Sequence, residues 1–283
     1  MAKYLRNYIL SVDDQLGVKR EIKMPYTMEF DITRNALASA NTSSIRIHNL
    51  NEETRRALYK DKYTYNVYRN VELKAGYGDD IATCFRGNLQ HCSSVRSGVD
   101  WITTMECFDG GFSLINGHME LTYPEGQSIN GLVETICKSL PQVNKGAQGN
   151  IEGKTSRRTS VSGNSSNLLK ELAPGKFFID LEKVYILGDN EYIKGPISVI
   201  TSQSGLLGSP VREESLIKFD MLFEPRFLIG QGINLQSIGQ QNFNGFYKII
   251  SIKHRGTMSL AVSGSATTTL GIWLGPGNMT EIS

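Results

Sequence analysis

The sequence predicts a mainly β protein with a small α/β insertion. Three observations carry this: period-two alternation through the first third, helical spacing confined to a middle stretch, and strand-like segments again in the last third. The 283 residues include 28 Gly and 8 Pro, and 40% are hydrophobic against 20% charged. That is the composition of a folded chain rich in turns, long enough for two or three cores.

In Tyr26-Thr27-Met28-Glu29-Phe30-Asp31-Ile32 every second residue is apolar, which builds a half-buried strand. The pattern returns in Ile45–His48, in Val71–Ala75 and around Trp101, Met105 and Cys107. Between the second and third of these, Asn51 to Tyr59 reads as a short helix. Asn51 suits its cap, Glu52 and Glu53 suit the positive end of the dipole, and Arg55 and Arg56 follow later. After Gly110-Gly111, Ile129, Leu132, Val133, Ile136 and Leu140 fall on one helical face, with Ser128 placed to cap it and Pro141 to end it. Residues 142–166 are polar and glycine-rich, and predict loops around at most one short strand. A second short helix is expected over Asn167–Ala173, then two short strands in KFFIDLEKVYIL about a turn near Leu181 to Lys183. Strands resume at Ile233, Phe246 and Ser265. These changes of texture divide the chain into residues 1–110, an insertion at 111–190, and residues 191–283; the stretch 191–232 gives no clear assignment.

The two β regions suggest a repeat. VELKA at Val71, the strand around ATCFRGNLQH and WITTMECF at Trp101 match, in pattern, INLQS at Ile233, FYKIISIKH and SATTTLGIW at Ser265. In this comparison the turn holding Asp79 and Asp80 corresponds to the one holding Gln240, Gln241 and Asn242.

Chemistry-bearing motifs are weak. A formal charge of +2 and a pI near 8.2 do not mark a nucleic-acid binder. The amino-terminal apolar run ends early at Asp13-Asp14, so neither a signal peptide nor membrane insertion is expected. Cys84, Cys92, Cys107 and Cys137 match no zinc or redox spacing and read as reduced fillers. Tyr77-Gly78-Asp79-Asp80 has the form of a polymerase metal-binding hairpin, but no upstream Asp completes a two-metal set. Gly149 to Thr155 falls one residue short of a P-loop and leads into SRRTSVSG rather than an apolar helix. His48, His91, His118 and His254 are scattered. No catalytic residue, cofactor or metal ligand is predicted.

Taken as an ordered set, MEFDI, NTSSIRIHNLNEETRRALYK, VELKAGYGDDIATCFRGN, DWITTMECFDGG, TSVSGNSSNLLKELA, SGLLGSP, LFEPRFLIGQGINLQS and NGFYKIISIKHRG resemble the baseplate hub proteins of contractile-tailed bacteriophages. That family is related to the late control gene D proteins and the base of type VI secretion spikes. The resemblance implies two tail-tube-like β-barrels per chain and a homotrimer whose six barrels form a pseudo-sixfold ring. It implies partners in the tail tube, the central spike, the tape-measure protein and other baseplate proteins, with DNA passing through the lumen. The protein would then be made in the host cytoplasm and reside in the virion. A lumen that releases DNA should avoid a strongly basic lining, which makes Glu29, Asp31 and Glu72 candidates to face it. Two other readings stand beside this one: a metal-dependent phosphotransfer enzyme using the Tyr77-Gly78-Asp79-Asp80 turn, and a receptor- or glycan-binding β module at the tail tip, although Trp101 and Trp273 sit in strand-like patterns that favour packing over glycan stacking.

Overall fold

The computed structural model describes residues 5–37, 40–64, 67–273 and 279–282. Alternation in the first third becomes β1 (Arg6–Asp13), β2 (Lys19–Lys23), β3 (Met28–Asn35) and β4 (Thr42–His48). Helix α1 (Glu52–Leu58) follows, with the Asn51 side chain accepting the Thr54 N–H as the sequence predicts. Three long strands complete this part: β5 (Asn70–Tyr77), β6 (Asp80–Ser97) and β7 (Asp100–Phe108).

The middle stretch comprises α2 (Gly111–Asn116), β8 (His118–Tyr123), α3 (Ile129–Lys138), β9 (Asn144–Gln148), β10 (Thr159–Asn164), α4 (Ser165–Leu172), β11 (Phe177–Asp180) and β12 (Lys183–Ile186). Its sheets are separate from the large one: β8 pairs with β10, and β11-β12-β9 make a three-stranded sheet. Leu132, Val133 and Ile136 of α3 are buried together with Leu169, Phe177 and Ile186. Two expectations need correction here. Residues 142–166 hold two strands, because the polar residues of β9 and β10 are ordered by pairing to β12 and β8 and not by alternation. Ser128 sits at the cap position of α3 but its side chain makes no capping bond.

The last third contributes β13 (Glu191–Ile200), β14 (Leu206–Glu213), β15 (Leu216–Leu222), β16 (Gln231–Leu235), β17 (Gly245–Met258), β18 (Ala266–Trp273) and β19 (Thr280–Ile282). With β1 to β7 they form one 14-stranded sheet, ordered β14-β15-β18-β17-β3-β4-β7-β6-β5-β1-β2, with β16 also on β17, and β13 on β16 and β19. The protein is accordingly mainly β, 54% strand and 13% helix.

The repeat is visible in this order. Strands run β5-β6-β7-β4-β3 in one part and β16-β17-β18-β15-β14 in the other, each neighbour antiparallel. Both copies carry a bulge at the same place: β6 has an extra residue against β7 between Leu89 and His91, and β17 has one against β18 between Ile249 and Ser251. They diverge at the flank, where β1 is antiparallel to β5 but β13 is parallel to β16.

Among the described residues neither of the two expected closed barrels is formed. Among the described residues the hydrogen bonding traces an open path ending at β2 and β14. The outer edge of β3 pairs with β17, from Met28↔Met258 to Asn35↔Ser251, and so joins the two copies where barrel closure would have used it. Each copy nonetheless curls around its own core. Tyr8, Phe30, Leu73 and Phe85 belong to the first, and Phe219, Ile233, Ile252 and Leu270 to the second. Phe223, Met258 and Ala266 cross over from the second copy into the first core. All four cysteines are free and buried, and burial pushes their thiols up, as expected of fillers.

Candidate functional site

On β3 the alternation turns Met28, Phe30 and Ile32 inward and Glu29 and Asp31 outward. Paired residues on antiparallel strands share a side. Asp31↔Ser44↔Glu106 runs across β3, β4 and β7, Phe108↔Asn88 continues to β6, and Arg86↔Glu72 ends on β5. Glu29, Asp31 and Glu72 therefore lie on one face of one sheet. Each has at least one Lys or Arg within 4 Å. Glu29 lies 3.1 Å from His48 Nε2 and 3.8 Å from Arg46. Asp31 accepts from Arg255 at 2.8 Å with Lys253 at 3.6 Å, and Glu72 pairs with Arg86 and lies 3.7 Å from Lys74. Burial works against the Glu72 charge, but Arg86, Thr83 and Lys74 together outweigh it and hold the carboxyl below its usual range. An open groove of about 660 Å³ runs along this face between Glu29, Asp31, Arg46, Glu106, Phe108 and Arg255. The face is polar and carries charges of both signs.

The Tyr77–Asp80 hairpin is a two-residue turn closed by the Tyr77↔Asp80 pair. Gly78, at its first central position, has φ +57°, the conformation a hairpin turn asks of that residue. Its N–H donates to Leu5 O at 2.7 Å, and Asp80 pairs with Arg226. Among the described residues no three His, Cys, Asp or Glu side chains converge as a metal site would require. The connection expected to correspond, between β16 and β17, holds Gln240 to Asn242 and no carboxylate. The Asp79→Asn/Asp80→Asn chain should unfold within about 1 kcal/mol of the parent in denaturant titration, since a half-exposed ion pair contributes no more. Loss of the fold would show that the turn has another role. The P-loop-like stretch leads from β9 to β10 and opens no helix; Lys154 instead bridges to Ser128.

The least ordinary chemistry is a buried polar joint where the three parts meet. Arg34, fully buried, donates from Nε and Nη2 to the two Asp180 oxygens at 2.8 and 2.6 Å, and from Nη1 to Phe227 O at 3.2 Å. Asn41 donates to Ile179 O and to Asp180. Asp109 accepts the N–H groups of Leu181 and Glu182 at 2.6 and 2.9 Å, fixing the β11–β12 turn, in which both residues have positive φ. None of Arg34, Asp109 and Asp180 forms a recognisable motif. Arg34 nonetheless occupies the inward phase set by Met28, Phe30 and Ile32, so a cation in an apolar register was the available signal.

A family model described as baseplate hub gp41 matches residues 7–257. The chain belongs to the baseplate hub gp41 family. It is thus a structural component of a phage tail, and the hub fold recurs in solved tail proteins. The tail protein from Neisseria meningitidis MC58 superposes with a TM-score of 0.61 at 9% identity, covering 95% of this chain and 97% of that one. The 43 kDa tail protein of prophage MuSo2 from Shewanella oneidensis gives 0.60 at 9% identity, with 94% and 96% covered. The E. coli c3393 protein, a type VI secretion component described as structurally similar to the T4 tail proteins gp27 and gp5, gives 0.58 at 11%, with 90% and 76% covered. At these identities the likeness is one of fold. No curated protein matches the hub chain by sequence. No described helix is long and apolar enough to cross a membrane.

Trp101, considered for glycan stacking, has the Arg55 guanidinium 3.8 Å from its ring centroid, which covers one of its faces. Trp273 on β18 lies at the pocket shared by Phe178, Leu187 and Lys248.

The joint gives the hub a pH signature. Burial, then the Asp180 carboxylate, push Asp109 up to about 7 against its two N–H bonds and Arg34. Burial, then Arg34, hold His254 well below its usual value. From about pH 4 to 6.5 the folded chain retains a proton on Asp109 that the unfolded chain has released, which makes stability fall as pH rises; His254 acts in the opposite sense. Asp109→Asn removes the first contribution alone. Its stability should rise with pH by about 1.4 kcal/mol per unit more steeply than the parent's across that window. Parallel curves from denaturant titrations at several pH values would contradict this.

Proposed function

We propose that three copies of this hub chain form a ring with pseudo-sixfold symmetry that adapts a sixfold tail tube to a threefold spike. The observation that carries this reading is the strand repeat. Matching strand order and a matching bulge mean that each chain offers two similar units, so three chains offer six. The units correspond to residues 1–110 and 191–283, each acting as a tube-like element, with 111–190 as the insertion between them. The face bearing Glu29, Asp31 and Glu72 lines the lumen through which the tape-measure protein and DNA pass. Its carboxylates pair with Arg46, Arg86 and Arg255, so the face is not the unbroken basic lining that would retain phosphates. The ring assembles in the host cytoplasm and contacts the tube, the spike and other baseplate proteins in the virion.

Native mass measurement tests the stoichiometry: a species of three chains is expected, alone or with tube or spike protein added. A chain that stays monomeric at high concentration in the presence of both would overturn the reading.

A further inference from the structure

Strand β17 carries a histidine where its counterpart β6 carries a serine. Counted from the shared bulge, His254 matches Ser94, and the cross-strand neighbour Thr268 matches Thr103. Both copies keep a bond between these partners, Ser94 Oγ with Thr103 Oγ1 and His254 Nδ1 with Thr268 Oγ1, each at 2.9 Å. Only the second copy places a titratable ring there, and that ring is fully buried where the two copies cross. It is paired with Ile32 of β3 and packs at a steep angle to Phe223. Its Nε2 has no hydrogen-bond partner among the described residues.

These surroundings suit the neutral ring and not the charged one. Thr268 Oγ1 also accepts the Glu224 N–H at 2.9 Å, so Nδ1 takes up what remains of its capacity. A proton on the second ring nitrogen adds a donor with no acceptor and a buried charge with no counter-ion. Arg34, which acts on the ring, has the same sign, and both oxygens of its partner Asp180 are taken by the guanidinium. Asp109 is occupied by the Leu181 and Glu182 N–H groups. The Glu224 carboxylate lies 3.0 Å from Arg226. Cys84 and Tyr77 keep their protons, because burial raises both. Asp31, Lys253 and Arg255 belong to the opposite face of the sheet.

We infer that His254 is an acid-sensitive latch between the two copies: the neutral ring seals the crossing, and a protonated ring opens it. Each copy buries a core of its own, so the joint between β3 and β17 can part while both cores stay closed. Below about pH 6.5 the open form takes up a proton that the closed form refuses, so the open fraction rises about tenfold for each unit of falling pH. Asp109 acts in the opposite sense, and comparison with a variant that retains it cancels its contribution.

Backbone hydrogen exchange of the parent and of His254→Gln, corrected for intrinsic rates, tests this. Glutamine can keep a bond to Thr268 and does not titrate. From pH 5.5 to 4.5 the ratio of parent to variant opening should rise about tenfold at amides bonded across β3 and β17, and should stay constant at amides bonded across β1 and β5. If the Gln chain does not fold, Asp109→Asn takes its place: with the opposing carboxyl gone, His254 alone should produce the same rise at the joint. A flat response at the joint would overturn the latch. So would an equal rise at both sets of amides, which is ordinary acid unfolding of the whole chain.

Discussion

Arg34→Ala is expected to destabilise the chain by about 3–5 kcal/mol in denaturant titration, because it leaves Asp180 as an unpaired charge at 1% side-chain exposure beside Asp109. The loss exceeds that of a surface ion pair because the charge left behind is out of contact with bulk water, and because the guanidinium also satisfies Phe227 O. The paired replacement Arg34→Met/Asp180→Leu should cost much less, since it removes both charges together. A single variant within about 1 kcal/mol of the parent would mean that the joint does not hold the three parts to one another.

Phe223→Ala should cost about 3–5 kcal/mol, at the other crossing between the copies. Phe223 follows β15 in the second copy, yet its buried ring packs in the first core, edge-on to Phe30 with centroids 5.5 Å apart and to His254 at 5.4 Å. Tyr77 donates to its carbonyl at 3.1 Å, so the cavity would open beneath the Tyr77–Asp80 hairpin. Phe223→Leu keeps most of the volume and should cost less than half as much. Equal losses from Leu and Ala would point to ring geometry, and not burial, as the source.

Where one face of an element is buried and the other wet, its pattern was readable. Strand β3 alternates without a break, α3 presents one apolar stripe, and Asn51 caps α1 through its own side chain. The turn at Leu181-Glu182 is legible as well, although the Asp109 cap that fixes it comes from far along the chain. Strand β14 gave no signal because only Leu206 and Pro210 of its eight residues are buried, so it has no apolar phase to read. Strand β1 is hard to read for the opposite reason: Leu10, Ser11 and Val12 are buried in succession. The open path in place of two closed barrels depends on the choice of β17 as partner of β3, more than 200 residues away, which local periodicity does not record. The three face carboxylates could be chosen from alternation, whereas their pairing with Arg255, Arg46 and Arg86 depends on register.

Electron-microscopic class averages of the purified assembly test the central claim most directly. The account predicts a ring of three chains whose end-on view is close to sixfold at low resolution and resolves into threefold symmetry as the insertion becomes visible. Isolated single chains, or a ring with a number of chains other than three, would contradict it.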